Sequence, residues 1–264
     1  MSELVFLKLG GSLITDKTRP YTCQVERLRR LATEIRAALE QRPDLRLVLG
    51  HGSGSFGHQA AAAHDTRRGV HTAEQWRGYA GVAAAAARLN QMVLDALWEA
   101  GVPALAVRPS SSARCHDGRL VHMDIEPIRR GLEHGLPPLL HGDVALDAVR
   151  GGTIVSTEDL FVYLAGPLSP QRILLAGEVE GVLDRQGGVV ARVTPATFPA
   201  VRPLLSGSHG VDVTGGMADK VVRMVGLVEE RPGLVVRVFS GLEAGCLQRA
   251  LVEPEWAVGT QIVA

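Results

Sequence analysis

The chain alternates between short apolar runs and longer stretches in which apolar residues recur every third or fourth position. Leu4-Val5-Phe6-Leu7, Leu45-Arg46-Leu47-Val48-Leu49, Pro103 to Val107, Pro137 to Leu140, Arg172 to Ala176 and Leu234 to Phe239 have the length and near-continuous apolar character of buried strands. Val25, Leu28, Leu31, Ile35 and Leu39 predict an amphipathic helix over about 23–41, ended by Pro43 and Asp44. A second helical stretch runs from Ala73 to Ala100, with small residues through its middle, Ala80 to Ala87. Small side chains allow close packing on a sheet, and they also leave room for an apolar substrate beside the helix.

Residues 64–72 read as a loop or broken helix, and 119–133 as a turn followed by a helix carrying Ile125, Ile128 and Leu132. Val144 to Ile154 reads as a hairpin turning at Gly151-Gly152, and Ser156 or Thr157 caps the helix that follows. Residues 184–210 read as loops with one short helix, Asp212 to Met217 as the opening of a helix bearing Lys220, and 259–263 as a last edge strand. Strands alternating with helices predict an α/β fold with a mainly parallel sheet. No repeat, linker or compositional break divides the chain, so a single domain over 1–264 is expected.

The polar, glycine-rich segments fall where strands end. Lys8-Leu9-Gly10-Gly11-Ser12, Gly50 to His58, His141-Gly142-Asp143, Gly177 to Gly181 and Ser240-Gly241 all follow apolar runs. In an open parallel sheet, ligands bind outside the carboxyl ends of the strands, so these segments are expected along one edge. The helix start at Thr214-Gly215-Gly216 can join them. Glycine turns permit close approach of the backbone and present N–H groups to an anion. The segment 13–21 carries Lys17 and reads as a loop or hairpin able to cover that edge.

Composition narrows the chemistry. The net charge is zero, which disfavours nucleic-acid or membrane-surface binding by bulk charge. No apolar run approaches a membrane span, and Met1-Ser2-Glu3 leads directly into a strand-like run interrupted by Lys8, so no secretory leader is expected. Three scattered cysteines, Cys23, Cys115 and Cys246, form no pair motif, and a reducing cytoplasm is the expected setting. Of 28 basic residues only three are lysine: Lys8, Lys17 and Lys220. Lys8 precedes one Gly-Gly turn and Lys220 follows another. A compact ammonium on a flexible stem suits contact with a moving phosphoryl group better than a planar guanidinium.

Gly52-x-Gly54-x-x-Gly57 spells a dinucleotide fingerprint, but it follows the second strand, and Glu74, at the distance of the ribose-binding acid, lies at a helix start. No Walker A sequence occurs, and Ser53 stands where a nucleophile elbow needs glycine. Spacing alone allows a metal site from His51, His58, His141 and Asp143, with nothing further to favour it. Glycine turns with three lysines and an aspartate fit phosphoryl transfer, which needs positioning and charge cancellation more than covalent chemistry.

These motifs, Lys8 to Ser12, His51 to His58, Gly142-Asp143 and Asp212 to Met217 with Lys220, resemble the amino acid kinase superfamily over essentially the whole chain. Within it they are most similar to the isopentenyl phosphate kinases, through His58 and the spacing of Lys17 from Lys8. Fosfomycin-type kinases are the nearest alternative, and a non-catalytic nucleotide sensor on the same fold is a more distant one. The resemblance implies an open αβα sandwich with an acceptor lobe over about 1–165 and a nucleotide lobe over about 166–264. It implies ATP with Mg²⁺ on its phosphates, an isoprenoid phosphate as acceptor, and a homodimer. It assigns Lys8, Lys17 and Lys220 to phosphate neutralisation, with Lys17 on the transferring group. Asp143 is expected to orient the lysines. His58, with Ser53, Gly54, Ser156 and Thr157, is expected at the acceptor. Gly10, Gly11, Ser12, Gly54, Glu178, Gly215 and Gly216 are expected at ATP. Two positions depart from the family pattern: Ser156-Thr157-Glu158 replaces Ser-Gly-Asp, and Gly177-Glu178-Val179-Glu180 replaces Thr-Asp-Val-Asp.

Overall fold

The computed structural model describes residues 2–57, 66–205 and 216–264. Strand β1 (Glu3–Leu9) lies at the centre of an eight-stranded sheet, between β2 (Leu45–His51) and β9 (Arg172–Gly177), and is parallel to both. The full order is β10-β12-β11-β9-β1-β2-β6-β3, with β3 (Leu105–Ala106), β6 (Pro138–His141), β10 (Arg192–Val193), β11 (Val235–Ser240) and β12 (Thr260–Ile262). All its neighbouring pairs are parallel except β11 with β12. A smaller sheet, β5-β4-β7-β8, is built from β4 (Arg114–His116), β5 (Arg119–His122), β7 (Asp143–Asp147) and β8 (Gly151–Val155).

Alternation along the strands sorts the side chains into two cores. Val5, Leu7 and Leu9, with Leu45, Leu47 and Leu49, face helices α2 (Val25–Gln41), α3 (Ala73–Glu99) and α7 (Cys246–Val252). On the other face, Phe6, Val48, Ile173 and Val236 pack against α4 (Glu126–Glu133), α5 (Thr157–Leu168) and α6 (Gly216–Glu230). A four-residue helix, α1 (Gly11–Ile14), follows β1 directly. The result is the expected αβα sandwich.

Several local features differ from the sequence pattern. The run Pro103 to Val107 yields a two-residue strand at the edge of the sheet rather than a core strand, and Leu105 is exposed. Gly151 and Gly152 open β8, and the turn occupies 148–150; Gly151 takes φ 71°, and a Cβ there would lie 2.2 Å from Val70 O, so both conformation and space call for glycine. Strand β12 is covered by β10 and is not an edge. The hairpin β4–β5 and helix α7 have no strong periodic signal, and the sequence pattern misses both.

Candidate active site

The carboxyl ends of β1, β2, β6, β9 and β11 lie along one side of the sheet, and a cleft of about 360 Å³ opens there. It gathers Lys8, Gly10, Gly11 and Ser12 from the end of β1, Lys17 from the segment after α1, and Gly52 to Gly54 from the end of β2. Gly142, Ser156, Thr157 and Glu158 form another wall, and Glu178 stands at the mouth beyond β9. Lys220 enters from α6 together with Met217, Val221 and Met224, and these extend an apolar arm lined also by Leu175, Val238 and Ile262.

The two glycine turns touch backbone to backbone. A Cβ on Gly11 would lie 2.5 Å from Gly54 N, and one on Gly52 would lie 2.7 Å from Gly11 N. Thr15 ties the turns together: its hydroxyl donates to Gly11 O at 2.7 Å and accepts from Ser55 N at 3.0 Å. Gly10 donates its N–H to Ala176 O at 2.7 Å, closing the sheet, so its part in holding phosphate is one of shape rather than of hydrogen bonding.

Lys8 is the buried cation of the cleft. Its side chain lies on the α5 face of β1, beside Gly50 of β2, where the missing side chain leaves space for Thr157 and Phe161. It forms an ion pair with Glu158, in the first turn of α5. Burial pushes the Glu158 carboxyl up, but the Lys8 and Lys220 charges and the Lys8 hydrogen bond hold it below its usual value. Helix α5 is fixed by a capping box between Ser156 and Asp159, and Asp159 and Ser156 in turn hold Arg223 of α6 at 2.7 Å and 3.1 Å. Arg223 lies one turn beyond Lys220, so the same contact that docks α6 on α5 sets where Lys220 enters the cleft.

Asp143, expected to orient the lysines, makes no hydrogen bond or ion pair with a lysine among the described residues. Its carboxylate accepts from Ser110 N at 3.2 Å and Val144 N at 2.8 Å, lies 3.5 Å from the His141 ring, and has the Arg108 guanidinium as a charged neighbour. The carboxylate on Lys8 is Glu158, one of the positions that departs from the family pattern. Its longer stem reaches the lysine from the start of α5. Thr157 is also accommodated: its hydroxyl donates to His51 O at 2.6 Å and its methyl group packs over Gly50. Glu178 lies 3.6 Å from Arg27 at the rim. Gly216 opens α6. His58 and Gly215 lie outside the described residues.

Behind the β2 end, His51 and His141 occupy paired positions of adjacent strands, and their rings stack at 5.4 Å with 8° between planes. Burial pushes His51 down to about 3 and His141 to about 4. Both are therefore neutral in the fold, whereas the unfolded chain protonates them below about 6.5. Folding stability from these rings is complete above that pH and is lost as pH falls from about 6.5 toward 4, by up to roughly 1.4 kcal/mol per pH unit for each ring. Thermal melts across that range are expected to show a falling Tm, and His141→Phe to flatten the slope; an unchanged slope would place the acid sensitivity elsewhere.

An open parallel sheet with glycine turns, lysines and a buried carboxylate at its carboxyl edge defines a kinase of the amino acid kinase class. The amino acid kinase family model matches residues 3–240, and the chain belongs to that family. Within it, its place is with the isopentenyl phosphate kinases. It is 44% identical to the isopentenyl phosphate kinase of Haloferax volcanii over 228 residues, covering 85% of this chain and 88% of that one. It is 35% identical to that of Methanocaldococcus jannaschii, covering 83% and 85%. An X-ray structure of an isopentenyl phosphate kinase superimposes with a TM-score of 0.80 at 31% identity, covering 98% of this chain and all of the other.

Proposed function

We propose that this enzyme transfers the γ-phosphoryl group of ATP to the phosphate of isopentenyl phosphate, releasing isopentenyl diphosphate and ADP. The observation that carries the reading is the convergence of Lys8, Lys17 and Lys220 with two mutually packed glycine turns in one cleft. An oxygen of the acceptor phosphate forms the new bond to the γ-phosphorus as the bond to the β,γ-bridging oxygen breaks. Donor and acceptor are both anions, so the barrier is chiefly one of charge and placement. The acceptor oxygen is already deprotonated, and no general base is required.

Lys8, set by Glu158, and Lys220 are assigned to the donor phosphates, and Lys17, on the exposed segment over the cleft, to the phosphoryl group in transit. N–H groups at Gly11, Ser12 and Gly54 supply further donors around the phosphates. The apolar arm of Met217, Val221, Met224 and Ile262 suits the nucleoside, with Glu178 at its rim. Ser53, Ser156 and Thr157 border the acceptor side, and His58 is assigned to the acceptor phosphate on the family resemblance. Next to them Ile154 lines the cleft and packs with Val82, Ala83 and Val144, an apolar wall for a short hydrocarbon tail. Among the described residues no three carboxylate, imidazole or thiol side chains converge as metal ligands, and Glu158 is committed to Lys8. Mg²⁺ would therefore be held chiefly by ATP oxygens and water, its preferred surroundings, where it neutralises phosphate charge. A cytoplasmic homodimer belongs to the proposal on the strength of the family resemblance.

ADP release measured with isopentenyl phosphate, fosfomycin, acetylglutamate and UMP tests the acceptor. Isopentenyl phosphate is expected to be preferred, with slower turnover of geranyl phosphate through the small-residue wall. Preference for fosfomycin, acetylglutamate or UMP would overturn the assignment.

A further inference from the structure

The peptide joining Gly52 to Ser53 is held from behind by a side chain the reaction does not touch. Gly52 gives its N–H to Leu9 O at 2.9 Å. Its carbonyl oxygen lies 3.1 Å from His51 Nδ1. Carbonyl and N–H point in opposite directions across a trans peptide, so a carbonyl turned toward the His51 ring turns the Ser53 N–H away from it. Gly52, Ser53 and Gly54 all line the cleft, and among the described residues no acceptor takes the Ser53 N–H.

The His51 ring has a second partner, the side-chain amide of Asn90 of α3, placed with its Oδ1 3.1 Å from Nε2; its oxygen and nitrogen exchange places on a half rotation. The side chain sits on the α3 face of the sheet, opposite Lys8, with His141 stacked against it. Asp143, at 3.5 Å, and Arg108 flank His141 rather than His51. We propose that Asn90 and His51 are a positioning pair: Asn90 fixes the His51 tautomer that carries its proton on Nδ1, and that proton holds the Gly52 carbonyl so that the Ser53 N–H faces the acceptor phosphate.

A carbonyl oxygen only accepts, so the contact with Gly52 requires Nδ1–H. A neutral imidazole then has a lone pair on Nε2, which requires a donor. Among the described residues the Asn90 amide is the group at Nε2 that can supply it, with its NH₂ turned to Nε2 by a half rotation of the amide. The alternative, an imidazolium donating at both nitrogens, is opposed by complete burial and by the neighbouring His141 and Lys8, which push the ring down to about 3. Aspartate at position 90 would invert this logic. A carboxylate only accepts, so Nε2 must carry the proton and the neutral ring loses its hold on Gly52.

The proposal rests on a phosphate being the acceptor. Its test uses the full-length chain with ¹⁵N-labelled histidine, His51 being assigned by comparison with His51→Gln. Wild-type His51 is expected to be protonated at Nδ1. In Asn90→Asp the proton is expected to move to Nε2 and the KM for isopentenyl phosphate to rise about tenfold, the loss of one hydrogen bond to a charged group, with the KM for ATP within about twofold. Asn90→Gln, which keeps the amide, is expected to recover part of the loss. A wild-type ring protonated at Nε2, or equal rises in both KM values, would overturn the positioning role. If Asn90→Asp does not fold, the wild-type spectrum decides. If the wild type turns over another phosphate instead, the functional reading fails, while the tautomer and the KM for that acceptor still test the pair.

Discussion

Glu158→Gln is expected to lower kcat by roughly two orders of magnitude, the usual scale for losing one preorganised electrostatic element of a transition state. The substitution keeps shape and removes charge. Glu158 pairs with Lys8 in a setting where both are almost fully buried, and Lys220 lies close enough to add to its stabilisation. Breaking a buried pair by removing one partner costs on the order of 3–5 kcal/mol. In a chain of this size that is a drop of Tm on the order of 10 °C. ATP brings phosphates to the same lysines, so saturating nucleotide is expected to restore more Tm in the variant than it adds to the wild type. Glu158→Asp, which restores the charge on a shorter stem, should recover most of the Tm and part of kcat. Wild-type kcat in Glu158→Gln would remove Glu158 from the site.

Gly11→Ala is expected to lower kcat/KM by at least about a hundredfold without unfolding the sheet. The new methyl group would meet Gly54 N at 2.5 Å and Gly54 Cα at 2.7 Å, and backbone on both sides cannot rotate away. The two turns must separate by an ångström or so, and misplacement of that size in a preorganised site carries about a hundredfold penalty by itself. Both substrates meet at these turns, so both KM values should rise. Gly81→Ala is the control: it lies in α3 with nothing within 4 Å of the added carbon, and it should gain up to about 1 kcal/mol of helix stability. Activity in Gly11→Ala within tenfold of wild type would mean that the turns need not touch.

What the sequence made legible was governed by local rules. Continuous apolar runs gave β1, β2, β6, β9 and β11, and the polar residues after each gave the cleft's edge. The α5 cap could be read from Ser156 because capping depends on residues three apart. Relations between distant segments were not legible in the same way. Asp143 looked well placed because it ends a strand, yet Lys8 is satisfied by a carboxylate 150 positions away. Asn90 gave no signal at all, sitting in a helix of alanines, and its meaning depends on a histidine of another strand. Pro103 to Val107 carried a strand's pattern, yet it pairs with β6 alone, over two residues at the edge of the sheet. Family resemblance named Gly10 as a phosphate residue, whereas pairing with β9 fixes its N–H.

The central place of β1 has a consequence for how the protein is made. The strand leaves the ribosome before either of its partners, and β2 can pair with it early. Its other flank stays open until residues 172–177 have been synthesised, and Lys220 follows later still. An exposed flank of seven largely apolar residues is a template for unwanted pairing. Slow passage through the middle of the message therefore lengthens the time at risk, and nascent chains halted before β9 should be the ones that chaperones hold.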